Sequence, residues 1–131
     1  MFETFTISPV GVVESTLQSL DDCPLQGHEG APEAILRISP QYQQALKGLE
    51  KGRSVMILTW LHAANRSVLQ CYPRKEVHAP VIGVFATRSP DRPNPIGYHQ
   101  AVIVEVLEDG LKVHPLEVLN GTPVVDIKPV I

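Results

Sequence analysis

Cysteine, aromatic side chains and long apolar runs are all scarce in this chain, and each scarcity removes a class of protein. The two cysteines, Cys23 and Cys71, are too few for a disulfide framework and are expected to be reduced thiols in a cytoplasmic protein. The five histidines show no HxxxH spacing and no paired CxxC accompanies them, so no metal site is expected. No apolar run approaches the roughly 18 residues of a membrane span. The opening residues lack the basic head and apolar centre of a signal peptide. A formal net charge of -3 argues against non-specific binding to nucleic acid or to an acidic membrane surface. No dinucleotide fingerprint, phosphate loop or internal repeat is visible.

Proline, by contrast, is abundant: 12 residues in a chain of 131, a length that suits one domain spanning 1–131. Long helices are therefore hard to place. Residues 5–15, 34–39, 54–62, 67–72 and 80–86 have the apolar, β-branched character of strands. Residues 101–119 form a predicted hairpin that turns at Asp109-Gly110. The C-terminal residues 120–131 alternate weakly between prolines. One helix is predicted over 40–49, capped by Ser39, begun by Pro40 and ended by Gly48 and Gly52, with Tyr42, Ala45, Leu46 and Leu49 on one stripe. Residues 19–33 read as a long loop. Strands that follow one another predict a mainly β fold, a small and mostly antiparallel single-sheet barrel of about seven strands.

The densest chemistry lies in GVFATRSPDRPNPIG, residues 83–97. Pro90, Pro93 and Pro95 exclude a helix and press Ser89, Arg92 and Asn94 toward extended backbone. The apolar run before it predicts an anchoring strand. A stiff loop loses little entropy on binding, and Arg88 and Arg92 carry planar forks suited to carboxylate or phosphate. A proline-rich surface loop with two solvated arginines is the competing reading. From Arg66 to Arg92 there are five basic residues and two acidic ones, so this part alone suits an anionic ligand. His62 ends a predicted buried strand, with Arg66 just beyond. Asp126 and Lys128 stand two apart, on one face of a strand, where an ion pair of small value is the plainer account.

Two blocks, GVFATRSPDRPNPIG and NGTPVVDIKPVI (residues 120–131), resemble the signatures of TrmO-type tRNA methyltransferases. The likeness runs over essentially the whole chain and is to a short form, without the domain that larger members carry after the second signature. It implies a β-barrel that binds S-adenosylmethionine, a homodimer with the cofactor near the subunit interface, and methylation of N6 of threonylcarbamoyladenosine at position 37 of tRNA. Matched residue by residue, it implies cofactor contacts at Leu25, Gln26 and Gly27, at His62 and Ala63, at Arg88 and Tyr98, and at His114, Pro115, Leu116 and Glu117. Leu25, Asn120 and Val130 differ from residues common in that family. For the reaction, His62 and Asp126 are the candidate catalytic bases, and Arg66, Arg92 and Lys128 the candidate contacts to tRNA phosphates. Two competing functions share the cofactor pocket: methylation of another small molecule or a protein, and binding of S-adenosylmethionine without turnover.

Overall fold

Burial at every second residue organises the chain. The computed structural model describes residues 3–19, 23, 30–73 and 78–131. Its strands are β1 (Gly11–Glu14), β2 (Ala34–Ile38), β3 (Ser54–Trp60), β4 (Gln70–Cys71), β5 (Ile82–Gly83), β6 (Ile96–Leu107), β7 (Gly110–His114) and β8 (Pro123–Pro129). In β3, Val55, Ile57 and Thr59 point inward; in β6, Gly97, His99, Ala101 and Ile103 do so. This is the period of a strand with one face on a core.

Six strands close in the order β1-β2-β7-β6-β3-β8, each neighbouring pair antiparallel. Closure comes from β8, which pairs with β1 at Gly11↔Val124 and with β3 at Ile57↔Ile127. A closed sheet leaves no unpaired edge. Val13, Leu36, Val55, Ile57, Leu111, Val113, Leu116 and Val124 fill the interior at 0% exposure. Each such aliphatic side chain stabilises by about 1.5–3 kcal/mol relative to leaving it in water. The short β4 and β5 form a separate two-stranded sheet beside the barrel.

The predicted barrel is thus the observed one, with differences of detail. The first strand covers only Gly11–Glu14, and Phe5 before it is 82% exposed. The strand expected before the proline loop is the two-residue β5 followed by a 3-10 turn at Val84–Ala86, with Phe85 turned to solvent. The helical segment is a 3-10 helix, Pro40–Leu46, with Ser39 at its N-cap position but no bond from the Ser39 side chain. Tyr42, Leu46 and Leu49 still pack on the core, Ala45 faces solvent, and Gly48 adopts a positive φ just beyond the segment, whereas Gly52, also at positive φ, lies in the turn before β3 and does not end it. The hairpin turns at residues 108–109, one residue before the predicted turn. Gly110 instead opens β7, because a Cβ there would lie 1.8 Å from the Leu36 carbonyl oxygen on β2. Its glycine is a matter of close strand approach.

Arg37 on β2 ties the same corner from outside, donating from Nε to Glu14 Oε1 at 3.0 Å and from Nη1 to Asp109 Oδ1 at 2.9 Å. These bonds, first Glu14 and then Asp109, hold the Arg37 guanidinium pKa above its ordinary value. All three groups are solvated, so the ties contribute little stability.

Candidate binding cleft at the barrel mouth

The proline loop is held by its own side chains. Thr87 Oγ1 donates to the Val84 carbonyl at 2.9 Å, and the backbone N–H groups of Ser89 and Asp91 donate to Thr87 Oγ1 and Ser89 Oγ. Arg92 completes the turn: Nε donates to the Ser89 carbonyl at 2.7 Å, and Nη2 to those of Val84 at 2.9 Å and Thr87 at 2.6 Å. One guanidinium therefore ties together three carbonyls of the loop. Pro95 is fully buried, and its carbonyl accepts from Leu61 N–H at 2.8 Å.

A second segment, residues 61–69, docks against this loop. Asp91 Oδ1 accepts from Asn65 N–H at 2.8 Å. Arg66 donates from Nε to the Pro93 carbonyl at 2.7 Å, and its guanidinium lies 5.1 Å from the Trp60 ring centre. Both segments leave the barrel at the same place, because Trp60 at the end of β3 pairs with Ile96 at the start of β6.

Between them opens a cleft of about 510 Å³, within the size range of small-molecule sites. Residues 61–64 form one wall, residues 88–92 the next, and residues 96–99 of β6 the floor. Glu117, Val118, Leu119 and Thr122 form the remaining wall, and Cys23 reaches its edge. Arg88 is exposed here, donates from Nη2 to the Tyr98 carbonyl at 2.9 Å and stacks over the Tyr98 ring at 5.2 Å. Its other donors point to no described acceptor. A broader, more open depression of about 470 Å³, beside Glu14, Glu33 and Lys112, holds none of the sequence-predicted residues.

The structure thus brings His62, Ala63, Arg88, Arg92, Tyr98 and Glu117 to one cleft. It separates others from it. Leu116 is fully buried in the core, so its side chain cannot meet a ligand, and His114 and Pro115 are not among the lining residues. The contribution of that segment shifts to residues 117–119. Within one chain Asp126 does not line the cleft; it stands exposed opposite Leu58, with Lys128 Nζ at 3.9 Å from its Oδ2. Leu25, Gln26 and Gly27 lie outside the described residues.

Sequence reasoning missed the polar floor. His99 is 6% exposed, Thr59 0%. Thr59 Oγ1 lies 2.8 Å from His99 Nε2, and His99 Nδ1 lies 2.5 Å from Glu117 Oε1. Gly97 makes room for this arrangement, since a Cβ there would stand 2.2 Å from Thr59 Oγ1 and 2.5 Å from His99 Nε2. The available signal was a polar residue on the inward phase of each of two apolar strands.

As a donor set the cleft offers a guanidinium fork, a carboxylate on the opposite wall, and apolar surfaces from Leu61, Ile96 and Leu119. That combination fits an amphipathic ligand carrying both charges.

Comparison with known proteins agrees with this arrangement. A protein of Methanothermobacter thermautotrophicus, named a probable S-adenosyl-L-methionine-binding protein, is 45% identical over 125 residues, 94% of this chain and 88% of the relative. An Archaeoglobus fulgidus S-adenosyl-L-methionine-binding protein is 39% identical over 93% of this chain and 86% of its own. The crystal structure of TrmO from Pseudomonas aeruginosa matches with a TM-score of 0.79 and 31% identity, covering 100% of this chain and 56% of that one. The chain therefore spans little more than half of that enzyme. With the family profile for the tRNA-methyltransferase O N-terminal domain matching residues 12–131, the barrel, its signature loop and the cleft identify the chain as a member of the tRNA-methyltransferase O N-terminal domain family.

Proposed function

We propose that the chain binds S-adenosylmethionine in the cleft at the mouth of the barrel and transfers its methyl group to N6 of threonylcarbamoyladenosine at position 37 of tRNA. The observation that carries this reading is the cleft itself. The signature loop, stapled by Arg92, presents Arg88 to the same space as His62, Tyr98 and Glu117. Family membership and the names of the relatives support the methyl donor.

When bound, S-adenosylmethionine supplies an electrophilic methyl on a sulfonium. The chain's own part is placement. Arg88 uses donors not engaged by Tyr98 to hold the donor's carboxylate. Leu61, Ala63 and Ile96 exclude water around its apolar parts, and the stiff loop keeps acceptor and methyl in line. Leu25, Gln26 and Gly27 are further proposed contacts to the donor. Arg66, Arg92 and Lys128 are the proposed meeting points for tRNA phosphates; Arg66 and Lys128 are exposed, whereas Arg92 is half-buried with three carbonyls on its guanidinium. Two copies pair in this reading, with the cofactor near their interface. The support is apolar: Ile96, Tyr98 and Val102 on the outer face of β6 are 47%, 49% and 42% exposed.

The test is transfer of labelled methyl to tRNA with and without the threonylcarbamoyl group. Incorporation only in its presence is expected; labelling of a different substrate refutes the acceptor, and absence of donor binding by calorimetry refutes the cofactor. The names of the relatives favour one second reading, a binder without turnover. Donor binding with no methyl transfer to any tRNA would establish that reading instead.

A further inference from the structure

The nitrogen that receives the methyl group carries a proton, and that proton needs an acceptor. Among the described residues, two carboxylates line the cleft, Asp91 and Glu117. Asp91 is engaged by the backbone of residue 65, where it fixes the docking of one wall on another. Glu117 is held differently. Its side chain is only 12% exposed, Oε1 receives the His99 Nδ1–H bond, and among the described residues no hydrogen bond engages Oε2.

Behind it, both ring nitrogens of His99 are occupied, by Glu117 and by Thr59. The imidazole therefore cannot itself reach a ligand. The Thr59 hydroxyl can donate to His99 Nε2 or accept from it, so the ring remains satisfied whichever way the proton is shared along the chain. Gly97 is the residue that leaves space for this stack. A carboxylate oriented by an imidazole, which is oriented in turn by a buried hydroxyl, is a preorganised proton acceptor open on one side only.

The geometry points to Glu117 as the general base of the methyl transfer, with His99 and Thr59 as positioning residues; the inference rests on the function proposed above. Glu117 Oε2 takes the proton of the acceptor nitrogen, whose N–H electron pair stays on nitrogen as the bond to the methyl carbon forms. The pair of the breaking S–C bond remains on sulfur. A sulfonium and a carboxylate thus become a neutral thioether and a carboxylic acid, and charge is conserved. Glu117 then returns its proton to water through the open cleft.

The base must be ionised to act, so kcat is expected to show an acid limb that depends on the carboxylate at position 117. Among the described residues, the other titratable or charged groups lining the cleft, besides His99, are Cys23, His62, Arg88, Asp91, Arg92 and Tyr98, and the experiment must separate them. Labelled S-adenosylmethionine and tRNA bearing threonylcarbamoyladenosine are the probes. Glu117→Gln is expected to lower kcat, measured at saturating donor, by about 100-fold and to flatten the acid limb. Glu117→Asp keeps a carboxylate and is expected to retain the acid limb at reduced kcat. In the ligand-free wild type, the imidazole N–H resonance of His99, assigned by its loss in His99→Gln, should move in Glu117→Gln, because Nδ1 meets Glu117 Oε1.

An Asp91→Asn variant that alone abolishes the limb overturns the assignment. So does a Glu117→Gln chain with wild-type kcat at saturating donor. A His99 resonance that is unchanged in Glu117→Gln overturns it, because the imidazole would then not position that carboxylate. If the wild type methylates no tRNA while binding the donor, the proposed function falls and this inference with it; wild-type turnover beside a fully active Glu117→Gln removes this inference alone.

Discussion

The two arginines of the proline loop divide two tasks. Arg88 is presented to the cleft, and Arg92 holds the loop that presents it. Arg88→Ala should therefore weaken binding of S-adenosylmethionine about tenfold, the loss of about 1.4 kcal/mol, while thermal stability stays near wild type. Arg92→Lys should do the reverse in order of cause. A point ammonium cannot span three carbonyls, so stability drops by roughly 1.5–3 kcal/mol and binding weakens because the loop loosens. Calorimetry and thermal melts on both variants separate the roles. Gly97→Ala is the third change at this scale. The new methyl collides with the Thr59–His99 contact, and a destabilisation of about 1–3 kcal/mol should appear in denaturant melts.

At the scale of elements, β2 is gripped from both sides, by β1 and β7. Gly110 permits the second approach. Gly110→Ala would press a Cβ on the Leu36 carbonyl, a backbone atom that cannot swing away, and should cost at least about 2 kcal/mol in a urea melt. An ordinary turn glycine at this position would tolerate asparagine; this one should not. The element of least regular structure, the loop 83–97, was legible as rigid because proline constrains φ wherever it stands. Its anchoring was not. A 3-10 turn and an arginine staple replaced the strand that the apolar run GVFA suggested, since four apolar residues do not distinguish a strand from a turn packed on its neighbours. The segment 40–49 shows the same limit. Its stripe of Tyr42, Leu46 and Leu49 was correct about contact with the core, but so short a segment closes i to i+3 bonds as readily as i to i+4.

For the whole molecule, the outer face of the β3–β6 pair raises the question of assembly. Leu58 stands opposite Tyr98 and Trp60 opposite Ile96, with Val102 further along β6. If two copies bury this face, Val102→Asp should convert a sedimenting dimer to a monomer and reduce donor binding with it; an unchanged sedimentation coefficient would place the interface elsewhere. Among the described residues no helix is long and apolar enough to cross a membrane.

What the sequence determined by itself was local. Short runs of apolar and β-branched residues marked the strands of the barrel, prolines marked where helix was impossible, and a loop rich in both proline and arginine marked the binding region. Each of these is a property of neighbouring residues and survives without knowledge of the fold. The tertiary structure alone decided which distant residues meet. Thr59 and His99 are 40 positions apart and His99 and Glu117 are 18 apart, so the polar chain beneath the cleft exists only because β3 pairs with β6 and the segment after β7 folds back over them. Alternation says which side of a strand faces inward. It does not say which strand lies alongside, and that neighbour is what turns a buried histidine into part of a site.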